Sequence, residues 1–224
     1  MNTFSDDPRR PSPDHDQISD VSRRGMRAAI IGSCFKVLSS LSFSNGLMLV
    51  FLSALKLDGA TVLLLLSLVN ILQAVFLIPC AHLADRLGKR RITLTGIGLC
   101  GLGYALLPAA GLLPTRLTVG LLGLGMALYG VGQAGQVASW YALLAPLVPS
   151  SYRGRFFGAL RVSWQLCGVI LAALIAWWLP HETSLSLLRV ILIATGLTIV
   201  PWALYYARIP ELERESFPTR DLPK

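Results

Sequence analysis

Hydrogen-bonding and aromatic side chains recur at helical spacing in one long apolar segment. Tyr129, Gln133, Gln136 and Trp140 stand at positions i, i+4, i+7 and i+11 of that segment. Residues at these intervals share one face of a helix, so the four side chains form a stripe. Amide and hydroxyl groups can bind a polar solute, and an indole offers a flat face for a ring. The stripe predicts the lining of a solute cavity, and hydrogen bonding of Gln133 and Gln136 to adjacent helices is the alternative.

Other apolar segments also carry polar groups, which are costly in a bilayer and therefore informative. The further side chains predicted to line the cavity are Ser40, Ser44, Asn45, Asn70, Arg161 and Gln165. Arg161 stands near the end of its segment, where it either anchors the helix or holds an anionic solute or Asp85. Lys36 shares a face with Ser33 and Ser40. We expect its ammonium to extend along the helix to the nearer membrane surface.

The cysteines do not form a metal-binding pattern. Cys34, Cys80, Cys100 and Cys167 lie within or at the end of apolar runs and lack C-x-x-C spacing, which is typical of small buried hydrophobes. The sequence contains no H-E-x-x-H motif, no phosphate-binding glycine loop and no nucleic-acid-binding module. We therefore expect no metal, no cofactor, no enzymatic activity and no nucleic-acid partner.

The apolar segments are long enough to cross a bilayer. The chain has 224 residues, of which 54% are hydrophobic and 14% charged, and such a composition predicts a membrane protein. The segments cover residues 29–55, 60–80, 92–113, 117–147, 156–179 and 185–207. Each one exceeds the ~20 residues needed to span a hydrocarbon core of ~30 Å. The sequence thus predicts an all-α polytopic protein with six transmembrane helices in a lipid bilayer.

The charged residues predict which side of the membrane each turn faces. If six segments alternate, only Lys56, Arg116 and Arg189 of the twenty lysines and arginines fall on one side, and Lys36 lies within a segment. The others gather on the opposite side, which the positive-inside rule identifies as cytoplasmic. All twelve acids lie outside the apolar segments. We expect a multi-pass protein of the plasma membrane (the inner membrane if bacterial) with both termini in the cytoplasm.

Two polar stretches flank the predicted bundle. Residues 1–27 are rich in Asp, Pro, Ser and Arg and lack the apolar region of a signal peptide, so they are predicted to form a disordered cytoplasmic tail. The six-helix bundle is predicted over residues 28–208. Residues 209–224 are predicted to be a second cytoplasmic tail.

A charged stretch, Ala81 to Arg91, separates the second and third segments and is predicted to be a tight turn. It resembles the signature of the major facilitator superfamily, Gly-x-Leu-(Ala/Ser)-Asp-(Arg/Lys)-x-Gly-(Arg/Lys)-(Arg/Lys). The matching residues are Leu83, Ala84, Asp85, Arg86, Gly88, Lys89 and Arg90, whereas Ala81 replaces the usual glycine. A second resemblance is the Arg-Gly-Arg turn between the fourth and fifth helices, here Arg153, Gly154 and Arg155 followed by Gly158. An ordinary basic turn of another six-span protein is the alternative.

The resemblance implies one half of a major facilitator fold, because members usually have two six-helix halves. It implies secondary transport (permease activity) of a small solute and identifies 209–224 with the start of the linker between halves. In the family, the acid of the signature, here Asp85, latches onto the second half, so alternating access would need a homodimer or a second six-helix half. A truncated or non-transporting remnant or scaffold is the alternative function.

Overall fold

The computed structural model describes residues 19–44, 46–110, 112–178 and 184–211. All regular structure in these ranges is helical, and six helices are long and apolar enough to cross a membrane. The predicted all-α class with six spanning helices is confirmed. Residues 1–18 of the predicted first tail and 212–224 of the second lie outside the described residues.

Eight α-helices make up the described part of the chain. They are α1 (Asp20–Ser44), α2 (Leu47–Ala54), α3 (Gly59–Leu87), α4 (Lys89–Ala110), α5 (Thr115–Leu144), α6 (Arg153–Trp178), α7 (Leu185–Leu197) and α8 (Ile199–Ala207). Two 3-10 turns, Ala145–Leu147 and Ser150–Tyr152, connect α5 to α6. The sixth span consists of α7 and α8 together. Gly25 of α1 lies against Leu147 and Pro210, so both ends of the described chain meet at one end of the bundle.

The first span differs from its prediction at its start and in its interior. Helix α1 begins at Asp20, inside the predicted disordered tail, because the Ser19 side chain accepts a hydrogen bond from the Ser22 amide at 3.1 Å and caps the helix. Gly46, with φ of 81°, precedes α2 and divides the predicted single helix. The left-handed conformation at Gly46 suits glycine and ends a regular helix.

The predicted turn at Ala81–Arg91 is wrong in extent, because most of it is helical. Helix α3 continues through Pro79 to Leu87, and α4 begins at Lys89. Gly88, with φ of 98°, is the entire connection. Prolines are tolerated within membrane helices, so the presence of Pro79 does not require α3 to end there.

Helix α3 begins at a capped aspartate. The Asp58 carboxylate accepts a hydrogen bond from the Thr61 amide at 2.9 Å. Hydrogen bonds from the side chain and the amide of Thr61 hold the pKa of Asp58 below its usual value. The cap is therefore made by the ionised carboxylate and is lost as the pH falls through that lowered pKa.

Helix α5 packs with its backbone directly against two neighbours. A Cβ atom added at Gly96 of α4 would lie 2.6 Å from the Gly132 carbonyl oxygen of α5, and one added at Gly130 would lie 2.7 Å from the Val69 carbonyl oxygen of α3. The contacts at Gly130 and Gly132 lie on different faces of α5.

Hydroxyl groups join the helices where the backbones are further apart. The Tyr104 hydroxyl of α4 donates to Ser42 Oγ of α1 at 2.6 Å and lies 2.7 Å from the hydroxyl of Thr195 in α7. Thr93 and Ser139 are hydrogen-bonded at 2.7 Å between α4 and α5. Such bonds strengthen helix association in lipid, where burial of apolar surface contributes little.

Helix α6 is the least enclosed span. Only 11% of an 18-residue apolar stretch of this span is buried. Its main partner is α1. Because α5 packs instead against α3 and α4, a space remains between α5 and α6.

Candidate functional site

A cavity of about 410 Å³ occupies the space between α1, α5 and α6. Its polar lining consists of Ser33, Lys36, Ser40, Gln136 and Arg161. Its aromatic lining consists of Trp140, Tyr141, Phe157, Trp164 and Tyr206. This volume and this mixture of an apolar wall with a few polar groups are typical of small-molecule sites.

Lys36 points across the bundle toward α5. Its Nζ donates a hydrogen bond to Gln136 Oε1 at 2.6 Å and stands 5.8 Å from the centre of the Trp202 ring. The expectation that this ammonium extends to the membrane surface is therefore wrong. An amide acceptor and an indole face are both within its reach, and each interacts favourably with a cation.

Gln136 is 1% exposed, and its two polar atoms are used differently. Oε1 accepts the bond from Lys36, whereas Nε2 has no hydrogen-bond partner in the described part of the chain. An unsatisfied buried donor costs ~1 to 3 kcal/mol. The site therefore offers a donor that a bound acceptor would satisfy.

The cavity wall carries positive charge without a described carboxylate. Lys36 and Arg161 line it. The acids within the described ranges are Asp20, Asp58, Asp85 and Glu211, and none of these lines the cavity. The charge of Lys36 is thus met by a neutral amide and an aromatic face.

The polar stripe predicted on α5 divides into two parts. Gln136 and Trp140 line the cavity, but Tyr129 and Gln133 do not. Gln133 Nε2 donates to the Tyr129 hydroxyl at 3.0 Å, and the Tyr129 ring stacks on Phe43 at a centroid distance of 4.3 Å. Phe43 of α1 covers this part of the stripe, so both residues belong to the helix interface.

Two further predicted residues do line the cavity. Ser40 Oγ donates to the Val37 carbonyl at 3.2 Å on the α1 side. Arg161 lies on the α6 side and is exposed. It shares the lining with aromatic residues of α5 and α6, and a guanidinium is suited to hold an anion.

Four predicted lining residues are not brought to the cavity in the described structure. Asn70 of α3 and Gln165 of α6 are exposed and do not belong to its lining. They project from the faces of α3 and α6 that have no neighbouring helix in this bundle. Asn45 and the side chain of Ser44 lie outside the described residues.

Sequence reasoning did not identify the contribution of α8. Trp202 is fully buried beneath Lys36, and the Tyr206 hydroxyl lies 3.2 Å from Ser33 Oγ. The usable signal was the spacing of Trp202 and Tyr206, because aromatic residues at i and i+4 share a helix face.

The end of the bundle that contains Gly88, here called the signature end, is fastened by Glu211. Its carboxylate accepts hydrogen bonds from the amides of Lys89 at 2.7 Å and Arg90 at 3.4 Å. The Arg90 guanidinium donates to the Ala207 carbonyl at the end of α8. Negative charge at the start of α4 complements the helix dipole. The sequence had assigned Glu211 only to the predicted linker.

The other signature residues differ in exposure. Ala84 is buried, whereas Leu83, Asp85 and Arg86 are exposed. In the described ranges, Asp85 forms no ion pair and borders a small cleft that also contains Gly88 and Glu211. The exposed carboxylate is therefore available to another surface.

The second predicted turn forms the start of α6. Arg153 Nε donates to the Val148 carbonyl at 3.4 Å. Arg155 is exposed. A Cβ atom at Gly154 or Gly158 would meet nothing within 4 Å, so neither glycine is required for close packing within this bundle.

We expect replacement of Glu211 by alanine to loosen the start of α4. Loss of the carboxylate leaves the Lys89 and Arg90 amides without their acceptor, and the amides of the first turn of α4 should exchange with solvent faster by about five- to tenfold, which corresponds to ~1 kcal/mol for a lost cap. Hydrogen–deuterium exchange measures this. Glu211→Gln retains an acceptor oxygen and should give a smaller change; equal exchange in wild type and Glu211→Ala would contradict the capping role.

A known protein family matches nearly the whole six-span bundle. Residues 28–223 match the model of the family described as the Major Facilitator Superfamily. No curated protein and no solved structure matches the chain. The matched range includes every residue that lines the cavity and both predicted polar turns.

Proposed function

The chain belongs to the major facilitator superfamily, whose members are membrane transporters, and we propose that it forms a six-helix half of a secondary transporter for a small solute. The cavity between α1, α5 and α6 carries this proposal. It combines five polar and five aromatic side chains, whereas the α3–α5 and α4–α5 contacts are made backbone against backbone.

Transport by alternating access requires two bundles that rock against each other around the solute. The second bundle would be another copy of this chain or a separate six-helix half. The exposed Asn70 and Gln165 are suited to that partner, because polar side chains on spanning helices are costly when they face lipid. The excess of positive charge on one side supports a cytoplasmic position of both termini in a plasma-membrane protein.

The signature end would control closure of the cytoplasmic side. Glu211 and Arg90 fix the turn at Gly88 within this half. Asp85 remains exposed beside them. A latch between Asp85 and the second half follows from the family resemblance and is supported by this exposure.

The direct test is reconstitution of the purified chain into liposomes, with uptake measured across a panel of solutes and the mass of the complex determined in detergent. We expect saturable uptake of at least one solute by a dimer. A strict monomer without uptake would overturn autonomous transport and would favour a non-transporting scaffold.

Asp85→Asn should reduce uptake at least tenfold without reducing the amount of protein in the membrane. The substitution keeps the size of the side chain and removes the charge needed for a latch worth more than ~1.4 kcal/mol. Asp58→Asn, which changes an exposed acid at the opposite end of α3, is the matched control. Undiminished uptake in Asp85→Asn would show that the signature serves only as a topological anchor.

A further inference from the structure

We propose that the cavity binds an organic anion with a planar ring, whose anionic group lies between Lys36 and Arg161. This inference deepens the proposed function and rests on it, since it takes the cavity to be the solute site. It is carried by the charge of the lining, by hydrogen-bond donors without acceptors and by the aromatic walls.

The charge of the lining favours an anion. Lys36 is held within the bundle by Gln136 and Trp202, and neither partner neutralises it. Among the described residues, no carboxylate lines the cavity. Arg161 adds a second positive charge. A cationic solute would be repelled by both side chains, and a neutral one would shield the Lys36 ammonium from water without compensating it.

Hydrogen-bond donors remain for the anionic group. A lysine ammonium has three donors, and in the described structure Lys36 uses one of them, toward Gln136 Oε1. Gln136 Nε2 is buried without an acceptor. The ammonium and the amide nitrogen belong to side chains that are already in contact. One carboxylate has two oxygens and can accept from both groups.

The aromatic walls favour a planar ring. Trp140 and Tyr141 lie on the α5 side and Phe157 and Trp164 on the α6 side. Rings pack favourably in stacked or edge-to-face arrangements with such side chains. The volume of about 410 Å³ accommodates a fused two-ring compound.

Binding of 2-naphthoate and of its neutral isostere 2-naphthamide tests the proposal. Radiolabelled compounds are bound to the purified chain in detergent and measured by scintillation proximity. We expect 2-naphthoate to bind at least tenfold more tightly than 2-naphthamide, the ratio typical of a hydrogen-bonded charge. Equal affinity, tighter binding of the amide or no binding of 2-naphthoate would overturn the proposal.

Variants assign the effect to Lys36. Lys36→Gln should weaken 2-naphthoate binding about tenfold or more and leave 2-naphthamide binding unchanged, whereas Lys36→Arg should retain most of the wild-type affinity. Lys56→Gln removes the same charge from an exposed residue outside the cavity and should have no effect. Wild-type affinity for 2-naphthoate in Lys36→Gln would overturn the assignment.

The same proteins separate this inference from the proposed function. Selective binding of 2-naphthoate without uptake of any solute by liposomes would contradict transport and retain the anion site. Uptake of neutral or cationic solutes that 2-naphthoate does not inhibit would support transport and overturn the anion site.

Discussion

Gly96→Ala should lower the free energy of unfolding by about 2 kcal/mol or more, because overpacking forces backbones apart. The added methyl carbon would lie 2.6 Å from the Gly132 carbonyl oxygen and 2.8 Å from the Gln136 amide nitrogen. Neither atom can move without displacing α5. Gln136 also accepts the hydrogen bond from Lys36, so a displacement of α5 should alter the shape of the cavity as well. Unfolding by SDS in mixed micelles measures the effect.

Gly98→Ala is the matched control. Gly98 lies in the same helix two residues away, and a Cβ atom there would meet nothing within 4 Å. Alanine at Gly98 should leave stability unchanged or raise it by up to ~1 kcal/mol through helix propensity. Equal stability of the two variants would contradict a close backbone contact between α4 and α5.

Trp202→Ala should cost about 3 to 5 kcal/mol of stability, the usual range for truncating a buried large side chain. Trp202 is fully buried, meets the Tyr206 ring edge-on and lies beneath the Lys36 ammonium. Its loss would leave a void under the cavity floor. Chemical unfolding measures the cost, and scintillation proximity measures any accompanying loss of 2-naphthoate affinity.

Trp177→Ala controls for the loss of an indole as such. Trp177 is 88% exposed on α6, so its truncation should change stability by less than ~1 kcal/mol. Trp202→Phe keeps an aromatic platform and should recover part of the stability lost in Trp202→Ala. A similar cost at Trp177 and Trp202 would show that burial at Trp202 contributes little.

The number of membrane spans and their helical type were predictable because a bilayer imposes both length and apolarity on them. The ends of the helices were not, since they depend on local groups. The Ser19 hydroxyl starts α1 inside a polar stretch, and α3 continues past Pro79. Neither the cap at Ser19 nor the continuation of α3 past Pro79 changes the hydropathy pattern strongly.

The candidate site was predictable only where one helix determines it. Gln136 and Trp140 face the cavity as their spacing indicates, but the same spacing includes Tyr129, which Phe43 of another helix covers. Lys36 illustrates the converse. Its position in α1 is compatible with an ammonium that extends to the membrane surface, but the ammonium instead points into the bundle and binds Gln136 of α5. Contacts between distant segments determine such outcomes.

The single-residue connection at Gly88 keeps the end of α3 beside the start of α4. Helix α5 touches both of these helices through main-chain atoms, which have no rotamers to exchange. We therefore expect the three helices to move together as one rigid unit. The Lys36 to Gln136 hydrogen bond joins this unit to α1. A displacement of the three helices at the signature end should thus alter the hydrogen bond that holds the cationic side of the cavity.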